Sequence, residues 1–548
     1  MPNTSGRWGF LGLGEAPVAS IGAHVEPGGP LRERGGRRRD PHRRRQRRRA
    51  AHLRGARPAG EPAGSRARHP RHRPGPPRRA GDAQRPRVPR GDARRVQAPR
   101  RAHQREHPLH ADEMRHLLDD ADARLVVHDA DLAGRLDEAA SDRPRIERGA
   151  PYEAALGAAS PERPAVERSG DDRYVLYTGG TTGMPRGVVW RHEDLLFAAL
   201  GGGNPGGDPV ARPEEVVSHA LVGRTRCLPA SPFTHGTAHW TALSTLLNGG
   251  TVLVDTSPTF DAERLWDLAD RERATILVIV GDAFARPLAD ALAAHPDRWP
   301  LDDLLVVLSG GAVLSPVVRD ALLEHLPWVV VVDGYGTSET GGQGQMPIWA
   351  GQRSVALPRF HVDEDTTVLD DAGRPAPPGS GLVGRLARRG RLPLGYLGDP
   401  ERSAETFVDL HGQRWAIPGD LARVEADGSI TLLGRGASSI NTGGEKVFPE
   451  EVEMVLKEVA GVFDAVVVGV PDDRFGERVA AVVARRPGTE VDLDDVDAHC
   501  RRRLAAYKVP RRIVVVDEVV RRPSGKADLD WAARAVATSR PSVPDGSP

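Results

Sequence analysis

The segment Tyr174–Trp190 reads YVLYTGGTTGMPRGVVW. Its first part, with Arg173, alternates in pattern and is rich in β-branched and aromatic residues, which predicts a strand. A loop crowded with glycine and threonine follows, then a cation, then apolar residues again. Glycines let backbone N–H groups approach a ligand closely and take up positive φ. Successive N–H groups in such a loop form an anion-binding nest. Gly180 and Gly183 supply that freedom, Thr178, Thr181 and Thr182 add hydroxyl donors, and Arg186 adds a forked cation suited to phosphate. The chemistry fits a polyphosphate. The loop is not the familiar P-loop, which carries Lys-Ser/Thr directly after its last glycine.

Working outward, 548 residues predict two or more domains. Two cysteines, Cys227 and Cys500, make neither a disulfide framework nor a metal-ligand spacing, which fits a reducing, cytoplasmic compartment. The longest apolar runs, ATILVIV and WVVVV, are strand-length, so no integral membrane segment is expected. The first residues lack a basic start and carry Glu15, so no signal peptide is expected.

The near-zero net charge conceals two opposite parts. Residues 31–110 hold 27 Arg against 6 acids, leaving 49 basic and 69 acidic residues elsewhere. No Phe, Tyr or Trp occurs from Leu11 to Pro151, and RRRDPHRRRQRRR has no period of two or of 3.6. Residues 1–107 are therefore expected to be largely disordered. Three readings stand for this stretch: a basic arm for nucleic acid, a natural disordered tail, or a wrong-frame translation of a GC-rich gene across about residues 25–107. The third is preferred, because shifted GC-rich codons yield mostly Arg, Pro, Ala, Gly and His; no nucleic-acid partner is expected. Near Ala111 the texture changes, and ADEMRHLLDDADARLVVHDADLAGRL predicts a helix, a strand and then a polar loop.

The glycine–threonine loop resembles the phosphate loop of the adenylate-forming superfamily: acyl-CoA synthetases, luciferases and peptide-synthetase adenylation domains. Gly179 and Arg186 stand where that family usually has Ser and Lys. Further motifs follow in matching order. VVVVDGYGTSETGG reads as a buried strand ending in a polar loop; it resembles the family's Tyr-Gly-x-Thr-Glu motif. The stretch Asp333, Gly334, Tyr335, Gly336, Thr337, Ser338 then belongs to the nucleotide site. Tyr335 can stack on a purine, Ser338 can bond a phosphate, and Glu339 can hold Mg²⁺, which takes hard oxygen ligands. Upstream, VVLSGGAVLSP places Gly310 and Gly311 where the family's loop lies along adenine and the acyl pocket. LPASPFTHGTAHW maps His235 to the border of the carboxylate substrate. RWAIPGD resembles the Trp-x-x-Thr-Gly-Asp motif, which gives Asp420 and, a hairpin later, Arg435 to the ribose. INTGGEKVFPEEVE looks like the acyl-CoA synthetase branch, with Gly443 and Gly444 lining a thiol tunnel. Ser438 falls at the hinge. RRPSGKADLD carries Lys526 at the position of the family's catalytic lysine, one of only four lysines among 76 basic residues.

The resemblance implies a large α/β N-terminal domain with parallel sheets (residues 108–436) and a small α+β lid domain (437–548) joined by a hinge. It implies an AMP-forming acid–thiol ligase using ATP, Mg²⁺ and CoA. A fatty or sterol-side-chain acid is the expected substrate, because VVWRHEDLLFAALGGGNP looks like actinobacterial ligases of that kind. Trp190 is expected to gate the acyl tunnel, and GDAFARP to line the pocket wall. Two alternatives remain: an enzyme loading a carrier-protein thiol, and an inactive product of a frame-damaged gene.

Overall fold

A computed structural model describes residues 111–178, 184–257, 259–352, 357–521 and 526–539. The expectations for residues 1–107, disorder and shifted frame alike, lie outside the described residues.

The apolar runs become a sheet because they can satisfy their backbone only against each other. Val330–Thr337, Val306–Gly310, Ile276–Ile279, Arg226–Pro229 and Thr251–Val252 lie side by side in parallel. Alternate residues go to opposite faces. Leu277 and Ile279 join Trp266, Leu288, Val318 and Leu322 under the helices Ala262–Arg271, Gly281–Ala294 and Pro316–His325. Ile276 and Val278 join Cys227, Val306 and Leu308 on the other face. Burial on both faces explains why these strands read as continuous apolar runs.

At Val330–Thr337 the sheet changes character. This strand turns back as Gly341–Ile348, and antiparallel pairing continues through Arg359–Val362 to Ile430–Arg435 and Asp420–Val424. Thirteen described strands are joined in this way. The parallel half was expected, and the antiparallel half is additional. A separate three-stranded sheet pairs Gly395–Tyr396 with Arg186–Arg191, and Arg186–Arg191 with Arg173–Thr178.

A second, smaller core forms around the Val462–Asp472 and Gly476–Arg485 hairpin, with Arg512–Val516 added in parallel. Helices Pro449–Lys457 and Leu493–Arg503 cover one face, where Val452, Leu456, Val467, Val483 and Val496 meet. Leu529–Thr538 covers the other, with Val466, Val482, Ala532 and Val536.

Two local expectations are corrected. The polar stretch after His128 contains the helix Ala133–Ala140, because Leu136, Ala139 and Ala140 fall on one face and are buried. Val330–Thr337 runs on through the Tyr-Gly motif rather than ending before it, because its partner Gly341–Ile348 pairs with it that far. Gly336 is needed there: a Cβ would lie 2.2 Å from the Gly341 carbonyl oxygen. No described helix is long and apolar enough to cross a membrane.

Candidate active site

Four elements bring the polar residues together. Thr178 ends one strand and faces Arg186, which opens the next. Gly180, Thr181, Thr182 and Gly183 lie outside the described residues. Arg186 is partly exposed, and its Nε is 3.9 Å from Asp399 Oδ2.

The Tyr335 hydroxyl donates to Asp420 Oδ2 at 2.7 Å, and Arg435 Nε lies 3.8 Å from Asp420 Oδ1. Asp420 and Arg435 face each other across neighbouring strands. Asp420 is buried, so the pairing keeps an acceptor-only group ordered next to a cation. Burial and then the Asp420 charge push the Tyr335 phenol well above its ordinary range, so it stays a donor.

The turn after Tyr335 is tied to itself. Thr340 Oγ1 accepts from the Thr337 N–H at 3.1 Å, and Thr337 Oγ1 accepts from the Glu339 N–H at 3.2 Å. The indole N–H of Trp190 donates to the Ser338 carbonyl at 3.0 Å. Trp190 is fully buried and packs edge-on against Trp240. It braces the turn, a contact its sequence position did not announce. The Tyr396 hydroxyl donates to Glu339 Oε1 at 2.9 Å.

Gly310 sits opposite Gly334 on neighbouring parallel strands, with room for a Cβ only at 3.2 Å from the Gly334 carbonyl. Gly311 follows with φ +92°, a conformation that favours glycine. Asp333 is a buried side chain under this edge. Burial pushes its carboxyl up to about 8, against the pull of Arg319. Gly443 and Gly444 form the exposed turn between Ile440–Thr442 and Glu445–Val447, both at positive φ. That turn is tied to Phe475 of the small core, whose carbonyl accepts from the Gly443 N–H at 2.8 Å, and not to Tyr335, Asp420 or Arg186.

His235 precedes the helix Gly236–Leu247. Burial, and then the positive charge of Lys526, lower its pKa from the ordinary 6.5 to about 4. The charge of Lys526, from the small lobe, is thus felt at the histidine of the large one. His235 is expected to stay neutral down to about pH 4. Because this lies below the value in an unfolded chain, protons favour unfolding, and the contribution to stability is lost as pH falls from 6.5 towards 4. An NMR titration of the imidazoles checks it: a His235 midpoint near 6.5 contradicts the buried arrangement.

The sequence reading missed Tyr396, Asp399 and Trp190's bracing contact. The signal for the first two was GYLGDPE, a Gly-Tyr edge followed by a Gly-Asp-Pro turn.

The AMP-binding enzyme family matches residues 104–397, and its C-terminal domain matches residues 451–526. The chain belongs to this family. It is 42% identical over 444 residues to a 3-oxocholest-4-en-26-oate–CoA ligase of Rhodococcus rhodochrous, covering 77% of this chain and 79% of that protein. It is likewise 42% identical over 438 residues to a medium/long-chain-fatty-acid–CoA/3-oxocholest-4-en-26-oate–CoA ligase of Mycobacterium tuberculosis, with the same coverage. Among solved structures it resembles ATP-bound MatB from Rhodopseudomonas palustris, with 25% identity, a TM-score of 0.62, and coverage of 78% of this chain and 82% of that one.

Proposed function

We propose that this chain is an ATP-dependent acyl-CoA ligase acting on a fatty or sterol-side-chain carboxylic acid. The observation that carries the reading is the convergence of Tyr335, Asp420 and Arg435 beside the Glu339 turn. The names of its relatives support the acid class. The domain limits at 436 and 437 and the roles below belong to the same reading.

A carboxylate is a poor electrophile, and ligation proceeds in two steps. A carboxylate oxygen attacks the α-phosphorus of ATP, the α–β anhydride bond breaks, and pyrophosphate leaves. The CoA thiolate then attacks the acyl carbon, and AMP departs with the bonding electrons. Asp420 accepts from the ribose hydroxyls, and Arg435 holds Asp420 and reaches the sugar. Tyr335 offers a ring face to adenine. Thr178 and Arg186, with Gly180, Thr181, Thr182 and Gly183, receive the leaving phosphates. Gly310 and Gly311 leave room beside the nucleotide. Neutral His235 borders the acid without adding charge, and Gly443 and Gly444 lie along the path of the thiol.

The chain's residues fit Mg²⁺. Among the described residues no cluster of three ligating side chains occurs, but Glu339 presents one carboxylate beside the phosphate strand. Mg²⁺ is typically held by one or two carboxylates plus substrate phosphates. When bound it supplies charge neutralisation at the phosphates.

ATP–pyrophosphate exchange with a panel of fatty and sterol acids tests the reading. Exchange with at least one such acid, followed by CoA-dependent thioester formation, is the expected result. Thioester formed only on a pantetheinyl carrier protein turns the reading to carrier loading. One observation favours a second reading: the family match begins at residue 104, where the Arg/Pro-rich stretch ends. If residues 25–107 are out of frame, the chain is inactive, and exchange is absent with every acid but present after the frame is restored.

A further inference from the structure

We infer that Tyr396 is a positioning residue that fixes the Glu339 carboxylate for the divalent cation and couples it to the strand carrying Arg186; this rests on the ligase reading above. The Tyr396 hydroxyl donates to Glu339 Oε1 at 2.9 Å. Among the described residues no donor reaches the other oxygen, Oε2. A carboxylate with one oxygen held and one open can turn only a single lone-pair face towards a metal. A freely rotating one would lose side-chain entropy on each binding event.

Tyr396 is itself held on three sides. Its strand pairs with Arg186–Arg191, Tyr396 standing opposite Val188 and Gly395 opposite Val189. Its backbone N–H donates to Ser403 Oγ at 2.8 Å, and the Thr406 hydroxyl reaches its phenolic oxygen at 3.5 Å. Its ring packs against Phe407 at 5.9 Å between centroids. Three residues on, Asp399 lies 3.9 Å from Arg186 Nε. One short strand and its turn thus touch both the metal-facing acid and the phosphate-facing cation. The tyrosine comes from a segment 57 residues from Glu339, so the contact is tertiary and not a by-product of a local turn.

The test is Tyr396→Phe in the full chain. Mg²⁺ is titrated into protein with α,β-methylene-ATP and followed by calorimetry, with Mn²⁺ electron paramagnetic resonance as a direct count of bound metal. Loss of an outer partner of a metal ligand typically weakens metal affinity about 10–100-fold. The expected result is a rise of at least about tenfold in the metal concentration for half-saturation, with affinity for metal-free nucleotide unchanged. In a Glu339→Gln background the same change should have no further effect. Should Tyr396→Phe fail to fold, Thr406→Val removes the supporting hydroxyl and is expected to move the metal titration in the same direction. Unaltered metal dependence overturns the inference. So does an equal loss of nucleotide binding with and without metal, which marks a merely structural role. If the parent chain binds no nucleotide with metal, the ligase reading falls and takes this inference with it; that outcome appears in the parent alone.

Discussion

Replacing Lys526 with alanine is expected to slow acyl-adenylate formation by about 10³-fold while leaving thioester formation from supplied acyl-adenylate little changed. The first step brings a carboxylate onto an α-phosphate, two anions forced together. An ammonium about 4 Å from the developing charge contributes about 4 kcal/mol at an effective dielectric of 20. That corresponds to about three powers of ten in rate. Lys526 is exposed, so its removal costs the fold little. Lys526→Arg should recover only part of the rate, because a planar guanidinium is larger than a compact ammonium and differs in geometry. A second measurement separates placement from chemistry. The lysine's charge helps to hold the His235 pKa down, so His235 should titrate higher in the alanine variant. Rapid-quench measurement of acyl-adenylate gives the rate. An undiminished rate in a folded alanine variant removes Lys526 from the reaction.

What could be read from the residues depended on whether a side chain's partner was local. Asp420 and Arg435 sit at strand ends, and Tyr335 lies in a strand whose motif is rich in glycine, where a polar group stands out. The motifs assigned them to one site, and the structure brings Tyr335 and Asp420 into contact across 85 residues. Tyr396 was not legible, because a tyrosine on a short edge strand reads as packing until its hydroxyl finds Glu339. The bracing contact of Trp190 was hidden for a related reason. An aromatic after a phosphate loop can face a tunnel or the core, and periodicity does not distinguish them; only the contact with the Ser338 carbonyl does. GDAFARP was expected along the acyl pocket. Its Asp282 and Arg286 are buried in the helix Gly281–Ala294 and engage the small lobe through Lys457 and Phe463. Nothing in a linear pattern pairs positions 175 apart.

That pairing carries the second large effect. Lys457 ends the helix Pro449–Lys457 and is buried, with its ammonium 3.1 Å from Asp282 Oδ2 and 3.3 Å from Asp464 Oδ1. Asp282 belongs to the large lobe, where its other oxygen accepts from the Ser315 N–H at 2.7 Å. Asp464 belongs to the small lobe and takes a two-pronged contact from Arg521 at 2.7 and 2.8 Å. Burial disfavours the ammonium, but Asp282 and Asp464 outweigh it and hold Lys457 protonated. Burial likewise opposes the Asp464 carboxylate, and Arg521 and Lys457 outweigh it, keeping its pKa below the ordinary range. Removing one member of such a set strands the others without compensation, at about 3–5 kcal/mol. Lys457→Met is therefore expected to loosen the docking of the small lobe by about that amount. Exchange of the amides in Pro449–Lys457 should speed up by two to three powers of ten, since about 1.4 kcal/mol is tenfold. Acyl-adenylate formation, which the role proposed for Lys526 ties to the position of the small lobe, should fall with it. Pairing Lys457→Met with Asp282→Asn should recover much of the loss, because it leaves no carboxylate without its cation there while the amide oxygen still accepts from the Ser315 N–H. Lys457→Arg should not, since the cavity closes on a single ammonium between two carboxylates. Hydrogen exchange of the three variants decides the matter: protection in Lys457→Met equal to the parent's means the lobes are held by other contacts, and the buried charges are then neutral to docking.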